Sequence, residues 1–152
     1  MKTTILLIAL VLASLLTQAQ AAFAPLPFKG ANLILIQTPD SANVALDKIG
    51  RALVARGYTI KAFDKQFHTL LTEPLQVRTG AFPTTMTVKA IGRPEGGLLL
   101  SGELIADMRV LSPTSENTRV QVQQVGKGPA GYFLMLQQLA EALGAELHYG
   151  KR

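Results

Sequence analysis

The chain has 152 residues, no cysteine and no tryptophan, with 15 Lys and Arg against 10 Asp and Glu, a formal net charge of +5. Without cysteine there is no disulfide and no thiolate metal site, and this length suits one domain whose core is large enough to need neither. The basic residues are spread along the sequence rather than gathered into the stripe or patch of a nucleic-acid reader, so no nucleic-acid partner is expected.

Met1-Lys2 supplies a positive start, Thr3 to Leu16 an apolar run, and Ala19-Gln20-Ala21 small residues two apart. This is the pattern of a secretory signal peptide over residues 1–21, cut between Ala21 and Ala22. The run from Ile5 to Leu16 is only twelve residues, well short of the roughly 20 that span a bilayer. No transmembrane segment is therefore expected in the mature chain. A lipoprotein attaches its acyl chains to cysteine, so an anchor through sulfur is excluded. The mature chain keeps fourteen Lys and Arg against ten Asp and Glu, a net charge of +4. A cysteine-free exported domain suits a bacterial cell envelope better than a disulfide-dense secreted scaffold. The expected address is periplasmic or extracellular, soluble after cleavage.

Residues 22–31 form a proline-containing lead-in, expected to be extended and poorly ordered. Asn32 to Gln37 has strand length and composition, and Thr38-Pro39-Asp40-Ser41 breaks it, with Asp40 or Ser41 able to cap a helix. From Ala42, Ala45, Leu46, Ile49 and Leu53 recur at helical spacing, and Gly57 stands where a left-handed residue ends the helix. Lys48, Arg51 and Arg56 are the densest cations and read as a solvated helix face. Tyr58 to Phe63 reads as a strand with Tyr58, Ile60 and Ala62 inward, and Phe67 to Thr72 as its partner, ended by Pro74. Thr84 to Ile91 alternates with Met86, Val88 and Ala90 inward. A hairpin loop at Gly92–Gly97 leads to a strand with Leu98, Leu100, Gly102, Leu104 and Ala106 inward. Arg119 to Val125 alternates again with Val120 and Val122 inward. A second helix is expected over 129–143, capped by Gly144, and Ala145 to Tyr149 has the makings of a short last strand.

The order β-α-β-β-β-β-β-α, with long alternating strands joined by hairpins, implies an α+β fold. The expectation is a two-layer sandwich over residues 32–152: a mainly antiparallel sheet of five to six strands, one face wet, with two helices packed on the other.

Motifs for chemistry are few. Gly126-Lys-Gly128-Pro-Ala-Gly131 is a literal G-x-G-x-x-G, with Glu146 at ribose-binding spacing. The strand before it is half polar, however, and no further βαβ units follow to build a doubly wound sheet. Gly128 and Pro129 read more simply as helix-start residues, so no cofactor is expected. His68 and His148 are far apart and lack ligands at short spacing, so no metal site is expected. No serine sits in a nucleophile elbow. Asp64, Glu73, Glu103 and Asp107 are scattered, although Glu103 and Asp107 share the outward face of one strand. No catalytic residue is assigned. What remains is a run of uncharged outward positions, Thr69, Thr85, Thr87, Gln121 and Gln123, a candidate interaction face.

The stretch Val44 to Thr72 has a distinctive cadence: a periodic helix, then Arg56-Gly57-Tyr58-Thr-Ile60, Asp64 and Leu70-Leu71-Thr72. It resembles small exported bacterial envelope proteins of unknown function, and the helix-grip domains of outer-membrane assembly lipoproteins, over about thirty residues; it departs from the lipoproteins in lacking the acylated cysteine. The resemblance implies a non-enzymatic envelope role and transfers no site residues. The expected function is thus an exported, non-enzymatic domain that binds a protein or cell-envelope component. The alternatives are a small exported hydrolase with a fold-assembled site, and a carrier of an apolar ligand between helices and sheet.

Overall fold

A computed structural model of the chain describes residues 23–77, 83–107, 109, 114, 116–125, 131–144 and 146–152. Residues 1–21, read above as a signal peptide, and residues 126–130 of the glycine motif lie outside the described residues. Among the described residues the fold is α+β, with eight strands and two helices. No described helix is long and apolar enough to cross a membrane.

Strand β1 (Leu33–Gln37) is followed by helix α1 (Ala42–Ala55), whose buried residues Ala45, Leu46, Ile49 and Leu53 are the predicted stripe. Ser41 is the N-cap but makes no side-chain capping bond. Asp40 is engaged instead by Lys48 at 2.6 Å, which holds its carboxyl below the usual carboxylate range. The helix closes as its sequence asks. Gly57, at φ +87°, donates its N–H to the Val54 carbonyl, and the Tyr58 N–H reaches the Leu53 carbonyl. Those two bonds with buried Leu53 and Tyr58 make the Schellman ending.

Strands β2 (Ile60–Asp64), β3 (Thr69–Thr72) and β4 (Leu75–Val77) come next, then the long hairpin of β5 (Thr84–Gly92) and β6 (Leu98–Ala106). β7 (Thr118–Gln121), α2 (Gly131–Glu141) and β8 (Glu146–Gly150) complete the chain. Every pairing is antiparallel. The sheet order is β2-β3-β5-β6-β1-β8, with β4 on β5 and β7 on β6.

The expectation of five to six strands is corrected to eight, for two reasons. Pro74 interrupts the strand without ending its run, so β3, held between β2 and β5, and β4 beyond it both lie along β5, from Thr69 opposite Ile91 to Val77 opposite Thr84. The segment after α2 is a full strand, pairing with β1 from Leu33↔Gly150 to Gln37↔Glu146. The lead-in is not loose either: Ala24 exchanges both backbone bonds with Tyr149, at 2.8 and 2.9 Å.

One side of the sheet carries the core. On β5, Thr84, Met86, Val88, Ala90 and Gly92 are buried, and on β6 Leu98, Leu100, Gly102 and Leu104. Of these, Met86, Val88, Ala90, Leu98, Leu100 and Leu104 join Ile34, Ile36 and Tyr149, the α1 stripe, and Phe133, Leu136 and Leu139 of α2 in a single cluster. Each large side chain buried there contributes about 1.5–3 kcal/mol. α1 packs against β3, β5 and β6, α2 against β1 and β6, and the helices touch each other.

Two inward assignments need correction. A bulge between Ile60 and Ala62 makes Lys61 an extra residue opposite β3. A one-residue shift exchanges the faces beyond it, so Ala62 is exposed and Phe63, opposite buried Leu70, takes the core side. Val120 is opposite Leu104 as the alternation requires. It stays 46 % exposed because β7 is a short strand at the sheet margin.

Candidate functional site on the open side of the sheet

The other side of the sheet presents Thr85, Thr87, Lys89 and Ile91 of β5 beside Ile105, Glu103, Ser101 and Leu99 of β6. Across its middle lies a hollow of about 440 Å³. Its floor holds Thr87, Ser101 and Gln121 with the apolar Leu71 and Ile105, and its cations are Lys61, Lys89, Arg119 and Arg152, facing the one carboxylate of Glu103.

Local structure explains each position. The β2 bulge brings Lys61 into the hollow, a usual effect of bulges, which re-aim side chains. The Glu73-Pro74 interruption inserts one residue between the β3 and β4 pairings, since Leu71 faces Lys89 and Leu75 faces Met86. In that gap the fully buried Thr72 hydroxyl accepts the Val88 N–H at 3.0 Å, in place of a backbone carbonyl. Buried Asn32 fixes the far wall. Its Nδ2 donates to Gln121 Oε1 at 2.8 Å, and its Oδ1 accepts the backbone N–H of Arg152 at 2.9 Å. Arg119 meets Glu103 at 3.3 Å.

The five predicted interaction residues divide. Thr69, Thr85, Thr87 and Gln121 all take the open side by register, opposite Ile91, Ile105, Glu103 and again Glu103. Only Thr87 and Gln121 line the hollow. Gln123 lies beyond the end of β7 and borders a separate hollow with Leu104, Val122 and Tyr132. There the chain leaves β6 for the lead-in, the Gln124 N–H bonding the Ala31 carbonyl at 2.8 Å. Sequence reasoning missed the cations, because Lys61, Lys89, Arg119 and Arg152 come from four separate segments and form no run.

The candidates for chemistry are kept apart. Thr69, Ile91, Leu99, Leu35 and His148 form one row across five strands. Four strand spacings put His68, next to Thr69, about 19 Å from His148. His68, at φ +49°, bonds Asn43 at 2.9 Å, and His148 bonds Glu146 at 3.1 Å. Asp64 closes its own turn by accepting the N–H groups of Gln66 and Phe67, both at 2.9 Å. Asp107 lies just past β6, where the Arg109 side chain bonds it and holds its carboxyl below the usual range. Among the described residues no three metal-ligating side chains cluster.

Two apolar hollows lie beside the helices. One, of about 460 Å³, runs between Gly50 and Val54 of α1 and Ile60 and Phe63 of β2. The other, of about 260 Å³, lies between Tyr58, Leu75 and Met135.

No protein-family model and no curated protein sequence matches the chain.

Proposed function

We propose that the chain is an exported, non-enzymatic α+β domain that takes a protein or cell-envelope component on the open side of its sheet. In this reading it is a two-layer sandwich, both helices covering the core side and the opposite side left for a partner. The observation that carries it is the hollow across the middle of that side, where Thr87 and Gln121 meet Lys61, Lys89, Arg119 and Arg152. Export and a periplasmic or extracellular address rest on residues 1–21. The envelope role rests on the resemblance of Val44 to Thr72. No nucleic-acid partner belongs to the proposal.

The test is fractionation of cells expressing the chain, with mass determination of the purified product and a photo-crosslinker at Thr87 or at exposed Val44 of α1. Expected are a mature N-terminus at Ala22, an envelope or extracellular location, and adducts from Thr87 but not from Val44. An uncleaved cytoplasmic product sinks the export reading, and adducts only from Val44 sink the choice of face.

The apolar hollow beside α1, with Val54 at 57 % and Phe63 at 37 % exposure, favours a second reading as carrier of an apolar ligand. That reading requires fluorescence enhancement of a hydrophobic dye, abolished by Gly50→Leu; an unresponsive dye removes it.

A further inference from the structure

We infer that the open-side hollow binds a small multivalent oxyanion, a phosphate ester or polycarboxylate, through Lys61, Lys89, Arg119 and Arg152. The inference rests on the open side being the binding face and supplies the chemistry of what is bound there.

The first observation is charge. Among the described residues four cationic side chains and one side-chain carboxylate line the hollow, a net side-chain charge of +3. Glu103 is engaged by Arg119 alone, and Lys61 and Lys89 form no ion pair with any described residue. Elsewhere among the described residues Lys48 pairs with Asp40, Arg51 with Asp47, Arg93 with Glu95 and Arg109 with Asp107, while Lys29, Arg56, Lys65 and Lys151 form no ion pair but stand apart; the hollow differs in drawing its cations together. Like charges drawn from four segments into one concavity repel one another. An anion bound between them converts that repulsion into attraction, and low-dielectric walls strengthen the field inside a cleft.

The second observation is the kind of surface between the cations. The Thr87 and Ser101 hydroxyls and the Gln121 amide can hydrogen-bond oxyanion oxygens, and Leu71 and Ile105 offer contact to a short carbon skeleton. The third is size. A volume of about 440 Å³ lies in the range of roughly 300–1,000 Å³ typical of small-ligand sites. Non-specific single-strand nucleic-acid sites stack bases on aromatic rings, and among the described residues no aromatic side chain lines the hollow. A bilayer surface, being flat, does not enter a concavity in the middle of a sheet.

The experiment is calorimetric titration of the full mature chain with pyrophosphate and, separately, with citrate, at low and raised salt. Expected is saturable one-site binding of at least one probe, weakening with salt as screening shortens the reach of the charges. Lys61→Gln and Lys89→Gln should each weaken it about fivefold, the upper end for exposed ion pairs. Glu103→Gln should tighten it about threefold, on the same scale for removing one repulsive charge. Arg51→Gln and Lys65→Gln, exposed cations away from the hollow, should leave it unchanged.

The inference is overturned if neither probe saturates by about 10 mM, a limit weaker than millimolar affinity, or if Glu103→Gln weakens binding. Equal losses on Arg51→Gln overturn it as non-specific attraction. Binding to anionic phospholipid vesicles that pyrophosphate does not displace overturns it in favour of a membrane surface. Retention of the Thr87 crosslink despite failed titrations leaves the open side as a binding face and removes only the oxyanion. Loss of both removes both.

Discussion

Thr72 is where the geometry around the hollow is most exposed to a single change. Its hydroxyl is the acceptor for the Val88 N–H at the point where Glu73-Pro74 interrupts the pairing with β5. Thr72→Val keeps the shape and deletes the acceptor, stranding a buried N–H at a cost of about 1–3 kcal/mol. The added buried methyl returns less than about 1 kcal/mol. The expected net loss is about 1–2 kcal/mol, a fall of several degrees in Tm for a domain of this size. Thr72→Ser keeps the acceptor and loses one methyl, about 1 kcal/mol with its small cavity. Urea denaturation of the three proteins, with m-values compared to confirm a common unfolding transition, gives the order native, then Ser, then Val. A valine variant as stable as the native protein, or a serine variant less stable than the valine one, would refute the role given to this hydroxyl.

Two further outcomes follow from the core. A Cβ on Gly102 would lie 2.8 Å from Val122 Cγ2, 3.1 Å from Leu136 Cδ1 and 3.2 Å from Met86 Cε, so Gly102→Ala should destabilise by about 1–3 kcal/mol as overpacking does. Calorimetry showing unchanged or raised stability would mean that α2 does not press on β6 as described. Burial raises the Tyr58 phenol above its ordinary value, chiefly by desolvation, and burial does the same for Tyr149. An acid whose pKa is raised by folding stabilises the fold below the unfolded value, about 10, and that stability is lost as pH rises through the folded value. Urea midpoints should therefore fall above about pH 10, and less steeply in Tyr58→Phe; identical alkaline slopes would contradict this.

Much of this architecture could be read from the sequence because each signal was local. α1 announces itself by Ala45, Leu46, Ile49 and Leu53 at helical spacing, and Gly57 supplies the positive φ its ending requires. β5 and β6 alternate cleanly because one side of each meets the core and the other does not. The bulge at Lys61 was hidden, since the residues around it alternate well enough to suggest an unbroken strand. Pro74 signalled an end but not the resumption of pairing at Leu75, because a bulge accommodates a proline that a regular ladder cannot. Thr87 and Gln121 were legible as outward polar positions. Gln123 is exposed as its alternation implies, but it lies beyond the end of β7, which is set by the chain turning toward Ala31, a tertiary event. The four cations were legible only as scattered charges; antiparallel pairing and the Asn32 bonds bring them to one place.

The claim that the open-side hollow is the binding site is tested most directly by two-dimensional amide NMR of residues 22–152 titrated with pyrophosphate. The account predicts saturable shifts confined to Lys61, Leu71, Thr87, Lys89, Ser101 and Gln121, absent in the Lys61→Gln, Lys89→Gln double variant. Shifts centred on α1 or spread evenly over the surface, or none at all, would contradict it.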